Sequence, residues 1–200
     1  MKTLILFAHP RLEKSRTNKA LIERIPRHPD LSFNDLYEAY PDFNVDVARE
    51  KELLDRHDLI IWQHPFFWYS CPPLLKQWID LVLELGWAYG PGGNALNGKI
   101  IFNAVTTGGS TEAYSAGGHN RYTVREYLYP FDQTAKLCKM IYLPPFAVQG
   151  THRLTPEQIV MHADQYEKLL HMILDNKLDL DYAKNLDFLN SITDPVNRMI

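Results

Sequence analysis

The run Asp58-Leu59-Ile60-Ile61-Trp62-Gln63 constrains this chain more than any other stretch. Four successive apolar side chains leave neither face of a strand polar. Such a strand must be covered on both faces, as in a parallel sheet with helices on either side. The rest of the chain supplies the other strands: Lys2 to Ala8, Leu31 to Leu36 with weaker alternation, Lys99 to Val105, and Lys139 to Leu143 closed by Pro144-Pro145. Helical spacing fills the gaps. One helix begins near Thr17, turns Ala20, Leu21 and Ile25 inward, and stops at Pro26 and Pro29. A charged one spans Val47 to Asp55, with Val47, Leu53 and Leu54 on its inner face. A third, from Pro73, carries a stripe of Leu74, Trp78, Leu81 and Leu85, widened by Leu75, Ile79 and Val82, and is expected to lie deep. Val124 to Cys138 predicts a helix interrupted near Pro130. Thr155-Pro156-Glu157-Gln158 opens the last helix with a cap, a first-turn proline and a capping-box Gln. Its inner face is Ile159, His162, Tyr166, Leu169, Leu170 and Ile173. Helix and strand patterns alternating through five strands predict a doubly wound parallel α/β sheet.

Two hundred residues make one domain with at most an appendage. A net charge of -3 offers no basic footprint, so no nucleic acid is expected as a partner. The amino-terminal apolar run is short, and Arg11, Glu13 and Lys14 follow at once, unlike a signal peptide. No run approaches the ~18 apolar residues of a membrane span. Cys71 and Cys138 stand in no metal or redox spacing and are expected to be reduced and mostly buried. These features predict a cytoplasmic protein.

In a doubly wound sheet, ligands bind at the carboxyl ends of the strands, where strand order reverses. A five-stranded order of this kind would frame the site with the loops His9–Asn18, His64–Ser70 and Thr106–Ser110. They are also the chemically most unusual stretches. Ser15, Arg16, Thr17 and Asn18 put hydroxyls, an amide and free N–H groups at a helix start, which suits a phosphate and equally suits a plain cap. His9 could touch such an anion or simply pack. Phe66-Phe67-Trp68-Tyr69, between Pro65 and Pro72-Pro73, offers a stacking surface for a flat ring such as a flavin, or an aromatic mini-core, or a subunit contact. Thr106-Thr107-Gly108-Gly109 lets a ligand approach the backbone closely, or forms a tight turn. Downstream, Tyr114 and His119 are either proton donors or ordinary loop residues. Gly93 to Lys99 imitates a P-loop, but lacks the Ser/Thr for magnesium and precedes a strand where the P-loop follows one.

Several longer signatures occur together: Ala8-His9-Pro10 with Ser15-x-x-Asn18, Tyr40-Pro41-Asp42-Phe43-Asn44, Trp62-Gln63-His64-Pro65-x-x-Trp68-Tyr69-Ser70-x-Pro72-Pro73-Leu74-Leu75-Lys76-x-Trp78, Gly86-Trp87-Ala88-Tyr89-Gly90, and Thr106-Thr107-Gly108-Gly109. With these, the chain resembles the flavodoxin-like NAD(P)H:quinone oxidoreductases (the DT-diaphorase family), and within them the bacterial Kef-type potassium-efflux ancillary oxidoreductases. The resemblance implies a flavodoxin-like five-stranded parallel sheet of order 2-1-3-4-5 with helices on both faces. It implies a flavin-binding domain over 1–174 and a carboxyl extension over 175–200 that packs at a homodimer. The extension shows no clear partner within the domain.

The resemblance also implies FMN or FAD as cofactor, NADH or NADPH as electron donor, and two-electron transfer to a quinone-type acceptor by a ping-pong mechanism. His9 and Ser15 to Asn18 would hold the phosphate and ribityl chain. Phe66 to Tyr69, with Pro65, would lie along the ring system, and Thr106 to Gly109 would bond its pyrimidine edge. Tyr114 would support charge relay with His119, which stands one residue nearer to it than in the diaphorases. Tyr89 would reach the substrate pocket of the other subunit. The Kef-type branch implies a second role, docking on a glutathione-gated potassium-efflux transporter at the inner face of the membrane. Two features depart from relatives: Arg16 stands where they carry small or aromatic residues, and the extension exceeds the short Kef-type chains.

Overall fold

The structure, a computed structural model, describes residues 1–193. Strands β1 (Thr3–Phe7), β2 (Leu31–Asp35), β3 (Leu59–Pro65), β4 (Ile100–Thr106), β5 (Ile141–Tyr142) and β6 (Phe146–Val148) form one parallel sheet. Its order is β2-β1-β3-β4-β5, with β6 also beside β4. The register sets Phe7 beside Gln63 and Gln63 beside Ala104, so the carboxyl ends of β1, β3 and β4 finish together.

Alternate burial explains the unbroken apolar run in β3. Ile60 and Trp62 enter one core cluster, whereas Leu59 and Ile61 enter another on the opposite face. The first cluster is closed by α2 (Leu36–Ala39), α3 (Val47–Arg56), α4 (Pro73–Val82), α5 (Val124–Tyr127) and α6 (Tyr129–Leu137). The second is closed by α1 (Arg16–Glu23) and α7 (Pro156–Leu174). Each fully buried large apolar side chain contributes about 1.5–3 kcal/mol of transfer free energy, so both layers are needed to hold the sheet.

The structure departs from the sequence reading in four places. The fifth strand does not end at the prolines. Ile101 pairs with Tyr142 but Ala104 pairs with Phe146, so one extra residue is accommodated between β5 and β6. Pro144 and Pro145 cannot donate to the ladder, and the strand bulges around them before resuming.

Leu81 and Leu85 are 40% and 67% exposed, not deep. The helix ends at Val82, and its buried face is Leu74, Leu75, Trp78 and Val82.

The inner face of α3 carries a charge: Glu50 is fully buried. Its carboxylate accepts from Tyr40 Oη at 2.6 Å, Trp78 Nε1 at 2.8 Å, Asn34 Nδ2 at 3.0 and 3.1 Å, and the Arg49 guanidinium. Burial, followed by the bond to Glu50, pushes the Tyr40 phenol up to about 12.

The extension also has a partner within the domain. Beyond α7, the helix α8 (Leu180–Lys184) and a 3-10 turn (Leu189–Thr193) bury Leu178, Ala183, Leu189 and Ile192 in the cluster under α7. Residues 194–200 of the expected extension lie outside the described residues.

Elsewhere the local signals act as read. Thr155 closes a capping box with Gln158, and α5 and α6 break at Leu128. Gly98, at φ 78°, turns the P-loop imitation into β4. Within α7, Ala163 is buried while His162 is half-buried. Cys138 is buried and Cys71 half-buried, both reduced; burial raises the Cys71 thiol to about 11.

Candidate functional site

A cavity of about 500 Å³ opens at the carboxyl ends of β1, β3 and β4, the size range of small-molecule sites. It is lined by His9, by the start of α1 from Ser15 to Asn18, by Pro65 to Trp68, and by Thr106 and Gly108. Three loops far apart in sequence thus share one wall. They meet because parallel pairing aligns the three strand ends.

The first loop is shaped by its cap. Ser15 Oγ accepts from Asn18 N–H at 3.2 Å, which starts α1 at Arg16. The earliest N–H groups of a helix have no intrahelical partner and face outward along its axis. Asn18 and Thr17 are buried, and Asn18 Nδ2 donates to Ser15 Oγ at 3.0 Å and to Thr106 Oγ1 at 2.9 Å. His9 is nearly buried, and desolvation lowers its pKa. Its Nδ1 accepts from Arg11 N–H at 3.1 Å, so the neutral ring carries its proton on Nε2. Arg11, Lys14 and His152 line the same cavity. A helix start, a histidine donor and the cationic side chains of Arg11, Lys14 and Arg16 make this end suited to an anion.

The aromatic loop forms the other end. Ser70 N–H donates to Phe67 O at 2.9 Å, closing a tight turn whose middle residues, Trp68 and Tyr69, have φ of 48° and 64°. Two left-handed residues in succession normally demand Asn or Gly; here each costs roughly 1–2 kcal/mol. The turn nonetheless holds Trp68 93% exposed at the rim. Strain combined with exposure is a pattern of sites rather than of cores.

Beneath this loop runs a buried polar chain. Tyr142 Oη donates to Asn103 Oδ1 at 2.6 Å, Asn103 Nδ2 donates to His64 Nε2 at 3.0 Å, and His64 Nδ1 donates to Pro65 O at 3.0 Å. His64 is fully buried and stacks on Phe131; desolvation lowers its pKa to about 4. It therefore stays neutral and orients the Pro65 carbonyl where the strand becomes the cavity wall.

The third loop departs in part from its expected placement. Thr106 and Gly108 line the cavity, whereas the Thr107 hydroxyl turns inward to Gly109 O at 2.7 Å. Gly109 sits against the Tyr114 ring. Tyr69 does not line the cavity either: its ring stacks on Tyr127 and its hydroxyl reaches Asn120 Oδ1 at 3.3 Å. Tyr114 is half-buried between Phe66 and Tyr127, its phenol pushed up by desolvation. His119 is exposed, and Tyr89 is half-buried against the first core cluster and does not line this cavity.

Sequence reasoning missed the fourth wall. Thr151 and His152 follow β6 and line the cavity. A Cβ on Gly108 would lie 2.6 Å from His152 Nε2, so any side chain there would push the His152 ring aside. The legible signal was Val148-Gln149-Gly150, an apolar strand ending in a glycine with φ 71°. Among the described residues, no cluster of His, Cys, Asp or Glu could hold a metal, and no helix is long and apolar enough to cross a membrane.

Comparison with known proteins supplies an independent line. A family model described as having a flavodoxin-like fold matches residues 1–170. A protein named as an NAD(P)H oxidoreductase, YdeQ of Bacillus subtilis, is 43% identical over 94% of this chain and 96% of its own length. The glutathione-regulated potassium-efflux system ancillary protein KefG of Salmonella paratyphi B is 43% identical over 84% of this chain and 92% of its own. The crystal structure of general stress protein 14 from Treponema denticola, in complex with FMN, shares 40% identity and a TM-score of 0.82, covering 86% of this chain and 99% of that one. An NADPH-quinone reductase from P. pentosaceus shares 33% identity and a TM-score of 0.76 over 93% of this chain and 99% of its own.

Proposed function

The chain belongs to the family of flavodoxin-like fold whose model spans residues 1–170, and on that premise we propose that it is an FMN-dependent NAD(P)H oxidoreductase. The observation that carries the reading is the cavity itself: one end is cationic and formed by a helix start, the other is aromatic, and the volume suits a cofactor. FMN combines an anionic phosphate with a flat ring, and the residues present fit both parts. The FMN complex of the Treponema denticola relative supports this choice over FAD.

In this reading His9 Nε2–H, the α1 start and the nearby cations bind the phosphate, while Ser15 and Asn18 organise that start. Pro65 to Trp68 hold the ring plane, and Thr106 with the main chain at Gly108 borders its edge. When bound, the flavin accepts a hydride equivalent from NADH or NADPH and returns two electrons to an acceptor of the quinone class. The protein's part is to orient, to exclude water and to stabilise charge. Donor and acceptor use the same face of the flavin in turn, which makes the kinetics ping-pong. Tyr114, packed against Phe66, is assigned to charge stabilisation, with His119, exposed five residues further on, as its partner. Tyr89 completes the site of a second subunit in a homodimer.

A second reading is favoured by the similarity to KefG: the same flavoprotein docks on a potassium-efflux transporter at the cytoplasmic face of a membrane. The test common to both is to reconstitute the purified protein with FMN and follow NAD(P)H oxidation with a quinone. Flavin-dependent turnover supports the enzyme. Failure to bind either FMN or FAD removes both readings.

A further inference from the structure

We propose that Asn190 is a positioning residue for the cavity: its side chain pairs with the outer edge of β6 and so holds the Thr151–His152 wall in place. The geometry begins with an edge strand. On its inner side β6 pairs with Ala104 to Thr106 of β4. On its outer side Ala147 presents an N–H and a C=O that no strand among the described residues receives. Asn190 receives both: its Oδ1 accepts from Ala147 N–H at 2.9 Å, and its Nδ2 donates to Ala147 O at 3.0 Å. A side-chain amide here does what the peptide group of a seventh strand would do. Leu189 N–H adds a bond to Pro145 O at 2.9 Å.

This pairing is not a surface accident. Leu189 is fully buried and Ile192 nearly so, which anchors the residues on both sides of Asn190 in the core. The segment is also tied at a second point, where Arg125 of α5 donates to Leu186 O at 3.2 Å and pairs with Asp187 at 3.1 Å.

The strand so held leads straight into the cavity. Two residues past β6, Gly150 N–H donates to Gly109 O at 2.8 Å, and Thr151 N–H to Thr107 O at 3.0 Å. Thr151 and His152 then line the cavity. The position of these groups follows from where β6 lies, and Asn190 sets its free edge. Asn190 itself falls beyond the 1–170 span of the family model, so the clamp lies outside the part of the chain that the family model describes.

The binding readout rests on the FMN reading above; amide exchange does not. Asn190→Ala removes both bonds. Its FMN dissociation constant is expected to rise roughly five- to tenfold, the size of one to two hydrogen bonds. The amides of Gly150 and Thr151 are expected to exchange faster. Asn190→Asp keeps the acceptor but sets a carboxylate against Ala147 O, and shifts both readouts the same way. Leu178→Ala, in the same apolar cluster without a bond to β6, lowers thermal stability while leaving FMN affinity and those two amides unchanged. FMN binding within about twofold of wild type in both Asn190 variants, with unaltered exchange at Gly150 and Thr151, overturns the proposal. If the wild type binds no FMN, the flavin reading fails on its own, and exchange at the two amides still decides: faster in the variants supports Asn190, unchanged overturns it.

Discussion

Asn18 Nδ2 donates to Thr106 Oγ1 at 2.9 Å, across 88 positions of sequence. Both side chains are buried. The bond joins the start of α1 to the end of β4, and hence the phosphate end of the cavity to its glycine loop. Asn18→Ala is expected to cost about 1–3 kcal/mol of stability, because it leaves the Thr106 and Ser15 hydroxyls without that donor. It is also expected to weaken FMN binding. Urea denaturation and a fluorescence titration measure the two effects. A stable variant with unchanged FMN affinity would detach Asn18 from the site.

His64 predicts a pH dependence. In the unfolded chain its imidazole titrates near the ordinary value, while in the folded protein burial lowers the pKa to about 4. Between these values the unfolded state binds the additional proton. Stability therefore falls as pH drops from about 6.5 toward 4, by up to ~3 kcal/mol from this group, and levels off below. The difference between wild type and His64→Phe in denaturation midpoints across that range isolates the contribution. A difference that stays constant with pH would contradict it.

Trp68 predicts a trade. Glycine at this position relieves the left-handed strain, so Trp68→Gly is expected to raise stability by roughly 1 kcal/mol. It also removes the exposed indole from the rim and should slow turnover with NAD(P)H. Calorimetry with steady-state kinetics checks both. A variant that gains neither stability nor loses activity would remove Trp68 from the account.

Much of this was legible in the sequence, for physical reasons. The apolar run of β3 required two covered faces, and Ile60 and Ile61 indeed enter opposite clusters. Strand order then placed His9, Pro65 and Thr106 together, since parallel strands end at one edge. Other features depend on partners distant in sequence. Glu50 lies in a helix legible only as charged, with Val47, Leu53 and Leu54 inward, and the convergence of Tyr40, Trp78, Asn34 and Arg49 on it is what allows its burial. Pro144 and Pro145 signalled a strand end where the sheet tolerates a one-residue bulge. That hid β6, and with it Thr151 and His152. Leu85 is exposed because α4 stops at Val82 before reaching it, and Leu81, inside the helix, falls outside the buried set of Leu74, Leu75, Trp78 and Val82; the stripe alone revealed neither.

Glu50→Gln tests the buried network apart from the site. The amide presents N–H groups to donors that now meet a carboxylate. The expected cost is roughly 2–4 kcal/mol, with FMN affinity unchanged because the network lies under α2, α3 and α4 rather than in the cavity. A loss of flavin affinity beyond what unfolding explains would show coupling to the site.

Tyr114→Phe separates binding from chemistry. The ring still packs between Phe66 and Tyr127, so FMN is retained, while flavin reduction by NAD(P)H slows about tenfold or more. An unaltered rate in stopped-flow measurement removes the hydroxyl from the mechanism.

The central claim is that the cavity between α1, the aromatic loop and the Thr106–Gly108 turn holds FMN. Titrating the purified, flavin-free protein with FMN while following quenching of flavin fluorescence tests it most directly. The account predicts saturation at one FMN per chain, lost when His9 and Asn18 are both replaced by alanine. Absence of saturable binding by the folded wild-type protein would contradict it.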